Sequence, residues 1–245
     1  MGNHAFDKNF IKKHEQAAGS TEGGKCLNRH VSRVKENSCS HRWQAWKRAV
    51  ASETVWYNAY GDAHKVFNPP PPAGSWDLTQ GTNFRKSSRK PYRHNGHHIV
   101  PNGILRDCIN DAVAQAGDKG PALRILIRGG LLDAGYNLNH MINMIILPSD
   151  QRVAWVLKLP AHVEKGKRAH EEYSAAVQTG VDKVVREFAK AMAQDIEDHK
   201  AVAKKLAKQK LENESKRFRR AIRAWGVRRH LLLLDRIPVA HFAKF

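Results

Sequence analysis

The segment Gly96-His97-His98-Ile99-Val100-Pro101 places two adjacent histidines between a glycine and an apolar run that ends in proline. In an extended segment, neighbouring side chains point to opposite faces. Both histidines can therefore reach one cleft only where the chain bends or where a strand ends. A metal-bound histidine beside a free base is what metal-assisted phosphodiester hydrolysis needs. The chain holds 14 histidines, so the meaning of this pair depends on the residues that follow it.

Three polar residues downstream complete a candidate metal site. Asn143 precedes the apolar run Met144–Leu147, which the flanking Asn and Pro predict to be a short buried strand. His162 follows Leu-Pro-Ala, and His170 lies within a helix predicted over Lys165–Val177, in the fragment His-Glu-Glu-Tyr. Imidazole binds zinc and other transition metals well, and a site with open positions can activate water or hold a phosphate.

The order of these elements resembles that of the His-Me finger nucleases. The pattern comprises Gly96–Pro101, then Gly135-Tyr-Asn-Leu-Asn139, Asn143-x3-Leu-Pro, His162 and His170-x2-Tyr. It is most similar to the AHH/GHH branch of the HNH superfamily, which occurs among bacterial polymorphic toxins. The resemblance covers residues 92–180, and it is specific as a joint pattern, whereas each element alone would be weak.

The resemblance implies an α+β fold, in which a small ββα-metal core is embedded in a mainly helical protein. It also implies one divalent metal ion: magnesium, zinc, manganese or nickel. His98 would be the general base, and His97 and His170 would be metal ligands. His162 would be a ligand or a phosphate contact, and Asn143 would fix the loop and orient the base through its side chain.

The resemblance further implies a metal-dependent endonuclease that cleaves DNA with little specificity, as an antibacterial toxin or effector. Its partners would be nucleic acid, with DNA ahead of RNA, a cognate immunity protein and a secretion or delivery apparatus. Two alternatives stay open. One is an HNH nuclease of phage or defence systems, and the other is a non-catalytic nucleic-acid-binding protein that a structural zinc stabilises.

The charge of the chain favours a polyanionic partner independently of any motif. Lys and Arg outnumber Asp and Glu by 42 to 23, which gives a formal charge of +19. Residues 200–245 hold 14 basic and 3 acidic residues, so this region is predicted to contact phosphates. The candidate nucleic-acid contacts are basic residues beside the histidine pair or in the C-terminal region: Arg93, His94, Arg219, Arg220 and Arg223.

Breaks in the sequence pattern divide the chain into four segments. Residues 1–68 form an N-terminal region in which aromatic residues recur at helical spacing, which predicts one or two helices. We expect these aromatic side chains to pack in the core. Residues 69–91 begin with four prolines and form a Pro-rich and basic linker. Residues 92–180 hold the nuclease-like core, and residues 181–245 form a basic helical region. Within the core, a helix that starts near Pro121 is predicted to end at Gly129-Gly130.

The cysteines favour a reducing compartment and allow a second metal site. Cys26, His30, Cys39 and His41 could close a structural zinc site, but their spacing matches no standard finger, and free thiols are the alternative. Residues 1–9 lack the apolar core of a secretory signal, and the strictly apolar runs are too short to cross a bilayer. We expect synthesis in the cytoplasm without a signal peptide and no stable membrane insertion; secretion by a specialised system into a target cell stays open.

Overall fold

In the computed structural model, the described residues are 25–27, 40–58, 62–162, 170–194, 197–228 and 233–245. Within them the fold is α+β: helices surround one small antiparallel sheet, as predicted at this level. The strands are β1 (His94–His98) and β2 (Met144–Pro148). The helices are α1 (His41–Asn58), α2 (Asn102–Ala114), α3 (Gly120–Asp133), α4 (Gln151–Leu157), α5 (Glu171–Met192), α6 (Glu197–Arg228) and α7 (Val239–Phe242).

Strand β2 separates two hydrophobic cores. It pairs with β1 so that His94 lies opposite Pro148 and His98 lies opposite Met144. All five residues of β2 are buried, which explains why its sequence is continuously apolar rather than alternating. Successive side chains point to opposite faces: Ile145 packs in the larger, helical core, and Ile146 packs in a second core beneath α1. The predicted buried strand is confirmed.

Residues 69–91 are a packed loop and not a spacer between domains. Leu78 and Phe84 are buried in the second core, together with Ala45 of α1 and Val153 of α4. The indole Nε1–H of Trp46 donates a hydrogen bond to the carbonyl oxygen of Leu78 at 2.8 Å. Residues 69–91 therefore share the second core with α1 and the sheet, because the apolar residues between the prolines and β1 pack on both.

The helix that begins near Pro121 does not end at Gly129-Gly130; α3 continues to Asp133. The reason is a close helix contact. A Cβ atom at position 130 would lie 2.8 Å from Cζ of Phe188 in α5 and 3.2 Å from Cγ of Lys204 in α6. Gly130 thus lets three helices approach, and here glycine indicates packing rather than a helix end.

The C-terminal region forms two long helices, α5 and α6, with the break between Met192 and Glu197. Val181, Val185 and Phe188 are buried along α5, as their helical spacing predicts. The hydroxyl of Tyr173 donates a hydrogen bond to the carbonyl oxygen of Ile99, so α5 is fixed to the chain directly after β1.

In the part of the chain that the structure describes, no helix combines the length and the apolar character that a bilayer span requires.

Candidate metal centre and cleft

The histidine pair occupies the last two positions of β1, and both side chains line one cleft of about 380 Å³. His97 is 6% exposed and His98 is 7% exposed. Helix α1 packs directly on the strand at Gly96, where an added Cβ would lie 3.4 Å from Cβ of Ala45 and 3.6 Å from Cδ2 of His41. The glycine before the pair therefore allows α1 to form the opposite wall of the cleft.

Three of the predicted ligands converge in this cleft. Nδ1 of His97 lies 3.0 Å from Nε2 of His162, and Nε2 of His170 lies 3.4 Å from that same Nε2. One ring nitrogen from each of the three histidines lies within 4.8 Å of the other two. The predicted set of His97, His162 and His170 is thus brought together, and both downstream histidines belong to it.

Three different structural elements position the cluster. His97 comes from β1, and His162 lies in the loop after α4, where its backbone N–H donates to the carbonyl oxygen of Pro148 at 2.8 Å. His170 was predicted within a helix and instead occupies the N-cap position of α5, directly before Glu171. Burial lowers the pKa of His170, which favours the neutral imidazole that a metal ion needs.

The cluster fits a transition-metal ion. Two nitrogen ligands bound to one tetrahedral zinc ion at the usual distance lie about 3.4 Å apart, and the shorter observed separations are 3.0 and 3.4 Å. Within the described residues the three donors of this cluster are all imidazoles, and together they could hold one metal ion.

His98 lies outside the three-histidine cluster and is held by Asn139. Its Nε2 lies 2.8 Å from Oδ1 of Asn139, and Nδ2 of Asn139 donates to Sγ of Cys26 at 3.4 Å. Because the amide nitrogen is engaged by the thiol, the oxygen faces the ring, and Nε2 of His98 carries the proton. The nitrogen that can accept a proton is then Nδ1.

Asn143 fixes the chain around the site, as predicted, but it does not orient the base. Its Oδ1 accepts from the backbone N–H of Val100 at 2.7 Å and from Oγ of Ser215 at 2.9 Å. Its Nδ2 donates to the carbonyl oxygens of Val100 and Leu138, at 3.0 and 2.8 Å. His98 bonds to Asn139 instead, and the carboxamide of Asn143 is engaged by Val100, Leu138 and Ser215.

Two predicted nucleic-acid contacts are corrected. The ring of His94 is buried against Phe84, and its Nδ1–H donates to the carbonyl oxygen of Tyr92 at 2.8 Å. Burial lowers the pKa of His94 to about 4, so it anchors the strand as a neutral ring. Arg219 is only 8% exposed, because it lies on the inner face of α6; burial, Arg48 and Arg223 lower its pKa to about 9.

The other predicted basic residues remain accessible. Arg93 and Arg220 are exposed, and Arg223 is half-buried. Arg42, which the sequence patterns did not single out, lines the cleft from the first turn of α1. Arg42 therefore brings positive charge to the cleft and Arg93 lies directly before β1, whereas α6 presents only part of its charge to solvent.

Half of the proposed zinc site at the N-terminus lies outside the described residues, since His30 and Cys39 fall there. Of its other two members, Cys26 is buried against Asn139, and the ring of His41 lies 5.5 Å from that of His98 between centroids. The four-ligand site stays a prediction.

Comparisons with protein-family models, with curated proteins and with solved structures give no significant match for this chain.

Proposed function

We propose that this protein is a metal-dependent endonuclease with a ββα-metal core of the His-Me finger type. The observation that carries the proposal is the pairing of two different histidine environments at the end of β1. His97 joins a three-histidine cluster, and its neighbour His98 is held outside that cluster by Asn139. A ligand and a separate base in one cleft are the two parts that hydrolysis of a phosphodiester requires.

The metal ion would be held by His97, His162 and His170. When bound, it would supply positive charge to a phosphate oxygen and to the leaving oxygen. A site with three protein ligands that lines a cleft keeps a position open for substrate, whereas a structural zinc site is closed by four ligands. This difference favours the nuclease over a non-catalytic protein that zinc stabilises.

His98 would act as general base at Nδ1. The ring would take a proton from the attacking water, while the bond from Nε2–H to Oδ1 of Asn139 keeps the ring in the tautomer whose unprotonated nitrogen is Nδ1. Burial of both residues limits alternative ring positions. Asn143 contributes indirectly, because it ties β2 to Val100 at the end of the histidine segment.

The substrate that fits best is DNA, bound through its phosphates. The excess of basic residues supplies a sequence-independent attraction; Arg42 lines the cleft, and the exposed Arg93 directly precedes β1. An antibacterial toxin with an immunity partner and a delivery apparatus is the biological setting that the sequence resemblance implies. A nuclease of phage or defence systems would use the same chemistry.

The deciding experiment compares cleavage of plasmid DNA and of RNA by wild type, His98→Ala and His97→Ala, across divalent ions and with excess chelator. We expect His98→Ala to lose at least about 10³-fold in cleavage rate while it still binds metal and DNA. His97→Ala should lose both cleavage and metal. Replacement of an exposed histidine on α6, His199→Ala, is the matched control.

Two results would reject the mechanism. One is cleavage that persists in His98→Ala at the wild-type rate. The other is wild-type cleavage that survives excess chelator, because hydrolysis would then not depend on the ion.

A further inference from the structure

The ring of His170 has a second nitrogen that the metal cluster does not use. Because its Nε2 faces His162 in the cluster, Nδ1 points to the protein on the opposite side. This Nδ1 is buried, and it makes no hydrogen bond within the described structure. A neutral imidazole that binds metal through Nε2 must carry its proton on Nδ1, so this position needs an acceptor.

Asp235 offers a hydrogen-bond acceptor that is also buried. Its Oδ1 is buried and, among the described residues, has no hydrogen-bond partner. Asp235 lies near enough to His170 for its negative charge to act on the ring. Nδ1 of His170 and Oδ1 of Asp235 are therefore both buried without a hydrogen-bond partner among the described residues, and each alone would be costly to leave unsatisfied.

The chain holds Asp235 beside the metal cluster through backbone contacts. Leu233 forms a parallel bridge with Ala161, and the N–H of Leu234 donates to the carbonyl oxygen of Ala161 at 2.8 Å. Ala161 directly precedes the ligand His162. Leu234 and Ile237 are buried in the larger core, so the turn that carries Asp235 is fixed on both sides.

We propose that Asp235 is the positioning residue for the metal ligand His170, accepting a hydrogen bond from its Nδ1–H either directly or through one water molecule. This inference rests on the proposed metal site. Histidine ligands in proteins donate their second N–H to such a partner, which fixes the tautomer, orients the ring and raises its basicity. The equivalent position of His162 faces a neutral group, since its Nδ1 lies 3.3 Å from the carboxamide of Asn95. Asp235 is thus the charged partner in the described outer shell of these two ligands.

The test measures metal binding without nucleic acid. The affinity for zinc is determined by competition with a chromophoric chelator, and the visible spectrum of the cobalt-substituted protein reports the ligand geometry. We expect Asp235→Asn to weaken zinc binding by about 10- to 100-fold and to shift the cobalt spectrum. Asp235→Glu should recover part of the affinity, because it restores the charged acceptor.

Glu172→Gln is the matched control, since it removes an exposed carboxylate two residues from His170 on the first turn of α5. Its zinc affinity should stay at the wild-type value. Thermal unfolding of the metal-free proteins checks that Asp235→Asn folds, and Asp235→Glu keeps the test decisive if it does not. Equal affinity and spectrum for Asp235→Asn and wild type would overturn this inference alone. Failure of the wild type to bind zinc or cobalt would overturn the metal site itself.

Discussion

The two-stranded sheet and helix α6 carry the strongest patterns in the sequence, but they differ in how those patterns map onto the structure. The motif at the end of β1 delivers both of its histidines to one cleft. The basic run of α6 is divided between faces: Arg219 is buried and its neighbour Arg220 is exposed. A motif with fixed spacing constrains the backbone, whereas a count of charges does not say which face of a helix they occupy.

The two regions meet at Asn143, where the largest effect on stability is expected. Asn143→Ala should lower the free energy of unfolding by about 3–5 kcal/mol, because it leaves buried backbone groups of Val100 and Leu138 without their partner. Urea unfolding followed by circular dichroism measures this change. Cleavage should also fall, since the end of the histidine segment loses its tie to β2.

Ser215→Ala removes the α6 side of the same network. Its Oγ donates to Oδ1 of Asn143 and also lies within bonding distance of the carbonyl oxygen of Leu211. We expect Ser215→Ala to lower the free energy of unfolding by about 1 kcal/mol. A double-mutant cycle with Asn143→Ala then isolates the coupling between the two regions. If Ser215→Ala and Asn143→Ala lowered the free energy of unfolding by equal amounts, the sheet would have no special dependence on Asn143.

A pair of adjacent glycines tests the helical frame that supports both regions. Gly130→Ala should destabilise the protein by about 1–3 kcal/mol, because the new Cβ meets the ring of Phe188 in α5 and overpacks the contact. Gly129→Ala is the matched control, because nothing lies within 4 Å of the added Cβ. Alanine stabilises a helix interior by about 0.5–1 kcal/mol relative to glycine, so this variant should be stabilised. Opposite signs in thermal unfolding are expected, and a stabilised Gly130→Ala would exclude a tight contact there.

Local patterns sufficed for the parts of the structure that depend on neighbouring residues. The apolar run before Pro148 predicted β2, and helical spacing predicted the buried stripe of α5. The three ligands His97, His162 and His170 were found because the resemblance depends on their order along the chain. The roles of these residues as ligands remain part of the proposal, while their convergence is a property of the fold.

Other features depend on contacts between distant residues and could not be predicted. Asn139 holds the base, and not Asn143, because the loop after α3 pairs with Cys26, more than a hundred residues earlier. A bridge between two loops ties Leu233, two residues before Asp235, to Ala161, which directly precedes His162. Gly130 was taken for a helix end because only the packed structure reveals Phe188 beside it. The Asn-Leu-Asn139 stretch was in the motif, but nothing in the sequence says which asparagine faces His98.

The smallest expected effect decides whether α6 shares the nucleic-acid surface with the sheet. In the His98→Ala background, where DNA is bound but not cut, the salt dependence of binding counts the phosphate contacts. Arg93→Ala beside the cleft should lower the slope of log affinity against log salt by about 1. Arg220→Ala should do the same if the exposed side of α6 contacts DNA. Arg186→Ala is the control, because Arg186 already pairs with Asp182 on α5. If Arg93→Ala lowers the slope and Arg220→Ala leaves it unchanged, DNA contacts the sheet and its cleft but not α6. The basic residues of α6 would then form a solvated helix face.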